Sequence, residues 1–273
     1  QIVRELGKFL KEGSLYRGFK PVLWSTVEKT ALADAEVEYQ DHKSDTIYTS
    51  FPVKTSNIDE LIGSEIVIWT TTPWTIPANK ALAYNKTLDY ILVQLCDDND
   101  FKNRKVVVAE ALLDSVIKDC LIKDFKKIKK FKGNELKDTI CNHPFLNIGY
   151  DYDIPMLEAG FVTTEQGTGI VHCAPSHGPD DFNLCLSNGI KAIETVDRDG
   201  KYTKNVKLFE GIHIFKANPI VIGKLKEQKK LLSNGELVHS YPHSWRSKAP
   251  LVHRATPQWF ISMESHKLRE KAL

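Results

Sequence analysis

Apolar and polar positions change period several times along this chain. Residues 2–12, IVRELGKFLKE, space apolar side chains helically with charges between them, which predicts a helix. Gly13 offers its C-terminal stop. PVLWS (21–25) reads as a strand, and residues 35–53 alternate in two stretches around a polar turn, which predicts an extended hairpin. SNIDELIG (56–63) predicts a short helix and Glu65–Trp69 a strand. KALAYN (80–85), DYILVQLC (89–96) and KVVVAE (105–110) predict three more short strands. Residues 109–120 have helical periodicity, and 153–178 read as strands joined by turns. PDDFNLCLSNG (179–189) predicts a helix with Pro179 in its first turn and Gly189 past its end. Residues 219–233 predict another helix, and ELVHSYPHSW (236–245) a strand.

Many short strands with a few peripheral helices predict a β-rich α+β fold, barrel-like in its strand content. No internal repeat or low-complexity linker is visible. The segments 1–40 and 240–273 read as outgoing and returning arms of a domain at 41–239. They are expected to connect it to something outside the sequence, which begins at Gln1 and ends in KLREKAL like a piece of a longer protein.

Composition changes this picture little. The 273 residues suit one large domain or a domain with satellites. Apolar residues make up 42% and charged residues 26%, as in ordinary soluble domains. A net charge of +2 is too small to argue for nucleic acid, so any RNA contact has to come from local basic patches. Five cysteines without a CxxC predict reduced thiols and a cytoplasmic protein. No apolar run is long enough for a transmembrane helix, and no signal peptide is visible.

Candidate chemistry sits in two stretches. The first is WTTTPWTIPAN, Trp69 to Asn79. A strand ending in Thr70, Thr71 and Thr72 presents hydroxyls on both faces, and Pro73 and Pro77 then stop the ladder. The result is a stiff loop of hydroxyls suited to a water, a ribose or an ester. Trp69 and Trp74 can wall such a place off or stack on a base. A β-branched strand end with purely structural tryptophans reads equally from the residue types. The second stretch runs from Gly167 to Phe182, GTGIVHCAPSHGPDDF. Its glycines permit a tight turn before a strand that delivers His172, and the first turn of the following helix holds Asp180 and Asp181. Carboxylates there are favoured by the helix dipole and suit an ammonium group, although they also serve as helix-capping residues. Metal binding by His172, Cys173, His177 and an aspartate is a further alternative, at loose spacing. So is a Cys173–His177 nucleophile pair. KKIKKFK (126–132) either contacts an RNA backbone or forms a solvated face over a packed apolar side, as does KLKEQKK (224–230).

The two stretches, in this order, resemble the editing domain of the isoleucyl-tRNA synthetase family, which is inserted in a class I catalytic core. The related valyl and leucyl families run on into TTRP, whereas this chain has Thr71-Thr72-Pro73-Trp74-Thr75. They usually carry Lys or Met where this chain has His172. The flanks 18–39 and 240–263 resemble the arms leaving and re-entering the Rossmann-type core, so the likeness covers nearly the whole chain. Residues 97–145 match no motif. The HIGH-like and KMSKS-like signatures are missing. The resemblance therefore implies a piece without aminoacylation activity, with ATP and Mg belonging to the absent core.

It implies hydrolysis of the ester joining valine to the 3′ end of tRNA(Ile), with isoleucine rejected by size. One methylene is worth only ~1–3 kcal/mol in an apolar pocket, a limit for which this enzyme family is itself the standard illustration. By matching positions, Thr72 and Asp181 carry the chemistry, with Asp181 on the substrate's α-ammonium. Thr70, Thr71, Thr72 and Thr75 position the terminal adenosine and the attacking water, with Asn79 in support. His172 borders the side-chain pocket. Gly167, Thr168 and Gly169 let the strand backbone approach the ligand, and Trp69 and His177 complete the contacts. The resemblance implies no metal or cofactor for this domain, no membrane partner, and a monomer whose partners are valine-charged tRNA(Ile) and the rest of the synthetase. Cys173 and Ser176 depart from the Thr and Gly common at those positions. The alternatives that remain are a non-catalytic tRNA-binding module and a metal-dependent hydrolase.

Overall fold

A computed structural model describes residues 1–97 and 100–273. The helices are α1 (Ile2–Lys11), α2 (Leu113–Asp119), α3 (Pro179–Ser187), α4 (Asn218–Glu227) and α5 (Leu268–Ala272). The strands are β1 (Leu15–Ser25), β2 (Thr30–Ala31), β3 (Val37–Thr55), β4 (Glu65–Thr70), β5 (Ala81–Tyr84), β6 (Asp89–Leu95) and β7 (Lys105–Ala109). They continue as β8 (Phe125–Lys132), β9 (Ile140–Asn142), β10 (Asp153–Glu158), β11 (Ile170–Cys173), β12 (Leu231–Ser244) and β13 (Val252–Ile261). Strands dominate and helices are peripheral, as the alternation of the chain predicts.

Most strands join one mixed sheet in the order β11-β5-β10-β9-β3-β4-β7-β6-β8, with β12 paired to β3. The sheet rolls without closing: β11, at one edge, packs back against β4. The Ala109 N–H donates to Thr168 O at 2.8 Å, which ties the approach to β11 to the end of β7. A second sheet, β13-β1-β2, carries both termini of the domain. Its β1–β13 ladder runs from Leu15 opposite Ile261 to Trp24 opposite Val252. The inner faces of the large sheet bury Ile47, Phe51, Ile66, Ile68, Leu82 and Tyr90 almost completely. All five cysteines are free thiols. Among the described residues, no helix is long and apolar enough to cross a membrane.

Two expectations are corrected, and the Lys-rich stretch takes one of the two forms left open for it. Residues 35–53 do not turn into a hairpin. They form the single long strand β3, because β12 pairs its polar half residue by residue from Val37 opposite Ser244 to Tyr48 opposite Ser233, with a register shift before Thr49 opposite Leu231. The helix expected at 219–233 stops at Glu227, and Leu231 already opens β12. The Lys-rich stretch is the strand β8 on the rim of the sheet, with Phe131 buried. Its lysines are solvated, and three are paired: Lys129 with Glu60, Lys130 with Glu110, and Lys132 with Asp89. Charged edge strands of this kind discourage pairing with other chains.

Candidate functional site

The first stretch leaves β4 and becomes a 3-10 turn from Pro73 to Ala78. Thr70 ends the strand facing the core. The next hydroxyls fold back onto it: Thr72 N–H donates to Thr70 Oγ1 at 3.1 Å, and the Thr70 and Thr72 hydroxyls lie 3.1 Å apart. Thr75 closes the group, 3.3 Å from the Thr72 hydroxyl and donating to Thr72 O at 2.8 Å. Among the described residues, Thr71 makes no side-chain hydrogen bond and leaves its hydroxyl free. Thr71 also lines two clefts. One, of about 280 Å³, runs past Trp69, Gln166, Gly167 and Val171. The other, of about 310 Å³, runs past Thr72, Trp74, Asp45 and Tyr241.

The second stretch reaches the same place through β11. Gly167 and Gly169 have φ of +83° and +72°. A Cβ on Gly169 would lie 2.3 Å from the Ala109 Cβ, so only glycine lets β11 press against β7. Strand alternation then turns His172 inward and Cys173 to the opposite side, among Ala81, Ala83 and Cys185. The His172 ring bonds Thr75 Oγ1 through Nε2 at 2.7 Å and Asn79 through Nδ1 at 3.0 Å.

The tautomer follows from the partners. Asn79 Nδ2 also faces Ala81 O at 2.9 Å, and a carbonyl only accepts, so the amide NH2 lies on this side. Nδ1 of His172 is therefore an acceptor, and the ring proton sits on Nε2 and is donated to Thr75. Burial lowers the His172 pKa to about 3, with the nearby His177 adding to the effect, so the ring is neutral at physiological pH. Among the described residues, the remaining polar atom of this network, Asn79 Oδ1, is buried without a donor.

Asp181 and His177 follow β11 in the chain, His177 in the loop after it and Asp181 in the first turn of α3. The half-buried Asp181 accepts the Ala174 N–H at 2.9 Å from the first turn of α3. Burial pushes its carboxyl up to about 6; the Ala174 N–H opposes this, and Asp180 adds to it. Asp181 does not hydrogen-bond to the threonines and lines neither cleft described above. His177 bonds Thr195 Oγ1 at 2.8 Å and His253 O at 2.9 Å, and its ring stands edge-on to Trp74 at 4.7 Å. Its contacts are with the scaffold, and it links the Asp181 loop to the threonine turn through Trp74.

The structure thus gathers Thr70, Thr71, Thr72, Thr75, Asn79 and His172, with Trp69, Gly167, Thr168 and Gly169 along one cleft. It does not gather His172, Cys173 and His177: their side chains point three ways, and among the described residues no His, Cys, Asp and Glu group has metal-ligating geometry. The Cys173 thiol is pushed well up by burial and donates to Val171 O, which leaves no pairing with His177. Residues remote in sequence hold the turn from outside: Tyr202, His143, Tyr152 and Asn218 bond its backbone. Their only sequence signal was the pair of prolines, which removes donors from the turn.

Known proteins agree with this architecture. A family model described as tRNA synthetases class I (I, L, M and V) matches residues 1–273. The chain is 85% identical to the isoleucine--tRNA ligase of Pelagibacter ubique (strain HTCC1062) over 273 residues, all of this chain and 30% of the relative. It is 48% identical to that of Gluconobacter oxydans (strain 621H), again over all of this chain and 30% of the relative. The chain therefore spans about a third of the length of the relatives it matches. Two solved structures share the fold at 12% identity and TM-scores of 0.51. The crystal structure of GlLeuRS-CP1 aligns over 68% of this chain and 97% of its own. The P. knowlesi cytosolic leucyl-tRNA synthetase editing domain aligns over 73% of this chain and 97% of its own. The chain belongs to the class I tRNA synthetases of the isoleucine, leucine, methionine and valine group, and carries the fold of their CP1 editing domains.

Proposed function

We propose that this chain removes valine from the 3′ end of tRNA(Ile) by hydrolysing the aminoacyl ester, and spares isoleucine. The observation that supports it most is the free hydroxyl of Thr71, set among bonded threonines where two clefts meet. The nucleoside follows these clefts with its ester at Thr71, and the aminoacyl group passes the threonines towards His172 and Asp181, which line neither cleft.

The nucleophile is water. His172 is neutral with both nitrogens engaged, and the Cys173 thiol is turned away and protonated, so neither attacks nor abstracts a proton. Thr71 and Thr72 hold the water and the ribose hydroxyl in line with the ester carbonyl, which is catalysis by positioning. As water adds, charge develops on the carbonyl oxygen, and fixed hydroxyl and N–H dipoles stabilise it. The proton that the attacking water gives up passes to the leaving ribose oxygen as the bond breaks. Asp181 pairs with the α-ammonium, and that positive charge draws its carboxyl back towards the ordinary range.

Size selection comes from rigidity. A ring pinned at both nitrogens cannot retreat for an extra methylene. Overpacking of this kind costs about 1–3 kcal/mol. The test is calorimetric binding of a non-hydrolysable valyl-adenosine mimic. Binding that is lost in Asp181→Ala, and at least tenfold weaker for the isoleucyl mimic, supports the assignment. Equal binding of both mimics to both proteins overturns it.

A further inference from the structure

Two prolines in a six-residue turn leave backbone groups without partners. In a 3-10 turn each N–H donates to the carbonyl three residues earlier. The carbonyl of Trp74 would accept from residue 77, and Pro77 has no N–H. Trp74 is 6% exposed, so solvent does not readily supply the missing donor. The hydroxyl of Tyr202, more than a hundred residues away in sequence, donates to Trp74 O instead.

Tyr202 is built for this. It is 2% exposed, and its backbone is held at both ends, with its N–H on Ile212 O at 3.0 Å and its carbonyl accepting from Gly211 at 2.9 Å. Its ring packs on Phe209, with centroids 6.0 Å apart. The consequence lies in the peptide plane it grips. Trp74 O and Thr75 N belong to one planar unit. The Thr75 N–H donates to Thr72 O at 2.9 Å. Tyr202 and Thr72 therefore hold that plane from its two edges and fix its rotation. Rotation of the plane would swing Thr75, whose hydroxyl meets the His172 ring and Thr72. Neighbouring groups are held likewise: Asn218 Oδ1 accepts Trp74 N–H at 3.1 Å, His143 Nε2 donates to Ile76 O at 3.0 Å, and Tyr152 donates to Asn79 O at 3.0 Å.

We propose that the Tyr202 hydroxyl is a positioning group for ester hydrolysis, standing in for the donor that Pro77 removes and so setting the rotation of the 74–75 peptide beneath the threonine cluster. The proposal rests on the editing reading for its effect on catalysis, but its geometric part stands by itself. Tyr202→Phe keeps the ring and removes only the hydroxyl. Pro77→Ala restores an N–H that can reach Trp74 O.

The experiment measures valine release from tRNA(Ile) together with site-resolved amide exchange in the wild type, Tyr202→Phe, Pro77→Ala and the double variant. In Tyr202→Phe, kcat is expected to fall about tenfold with KM within about twofold, the sign of an interaction that matters in the transition state. The Thr75 amide should exchange about tenfold faster, while core amides of β4 and β6 keep their protection. In the double variant, both kcat and Thr75 protection should recover most of the way to the Pro77→Ala level. Unchanged Thr75 exchange in Tyr202→Phe overturns the proposal, as does a uniform loss of protection across the core, which would mark a merely structural residue. A double variant no better than Tyr202→Phe also overturns it. A wild type that releases no valine overturns the editing reading instead, and Thr75 exchange then decides the positioning claim alone.

Discussion

Asp181→Asn should make the protein more stable and inactive at once. The carboxyl titrates at about 6 in the folded chain against 3.8 in an ordinary setting, because burial disfavours its charge. A difference of about 2 in pKa corresponds to roughly 3 kcal/mol between the two protonation states. The group is half-buried, so solvent screening reduces this to about 1–2 kcal/mol. The sign follows from linkage. Between pH 3.8 and about 6 the folded protein holds the proton that the unfolded chain has lost, so this group's contribution to stability falls as pH rises through that window. Above it the full penalty applies; below pH 3.8 none does. An asparagine keeps the acceptor for the Ala174 N–H and carries no charge. Urea denaturation at pH 7.5 should therefore show the variant about 1–2 kcal/mol more stable than wild type, and at pH 3.5 the two should coincide. Valine release should be lost throughout, since a neutral residue leaves the ammonium unpaired. A variant equally stable or less stable at pH 7.5 would contradict this, because Asp181 would then not be a carboxylate destabilised by burial.

Other consequences test the scaffold and the chemistry. Glu65 holds Arg104 and also Lys230, the latter at 2.6 Å, and all three are largely buried. Glu65→Ala leaves two cations facing each other and should destabilise the fold by about 3–5 kcal/mol in a denaturant titration. Gly169→Ala combines a left-handed backbone with a Cβ driven into Ala109, and should lower stability by about 2–4 kcal/mol and loosen β11. Valine release should be unchanged after exhaustive chelation with EDTA. Activity that falls with chelation and returns with zinc would point to a metal hydrolase.

Much of the site was legible because its signals are local. The prolines of the 73–77 turn, the glycines before β11 and the acidic first turn of α3 each act over a few residues, and each element stands where the pattern put it. What was not legible depends on partners far along the chain. The polar half of β3 reads as a turn until β12 supplies its ladder. Residues 126–132 read either as an RNA contact or as a solvated face over a packed side, and only the pairing with β6 and a buried Phe131 define a strand. Tyr202 and His143 belong to no motif, and their role is visible only once the turn's missing donors are counted. The free hydroxyl was likewise beyond the sequence. Four threonines look alike in WTTTPWT, and only the fold shows that Thr71 is left unbonded among the described residues while Thr70, Thr72 and Thr75 satisfy one another.

The central claim is selective hydrolysis, and its most direct test is deacylation of tRNA(Ile) carrying valine beside tRNA(Ile) carrying isoleucine, by this chain and its Asp181→Ala variant. Valine should be released at least tenfold faster than isoleucine, and its release should be abolished in the variant. Equal release of both amino acids, or release that survives the loss of Asp181, would contradict it.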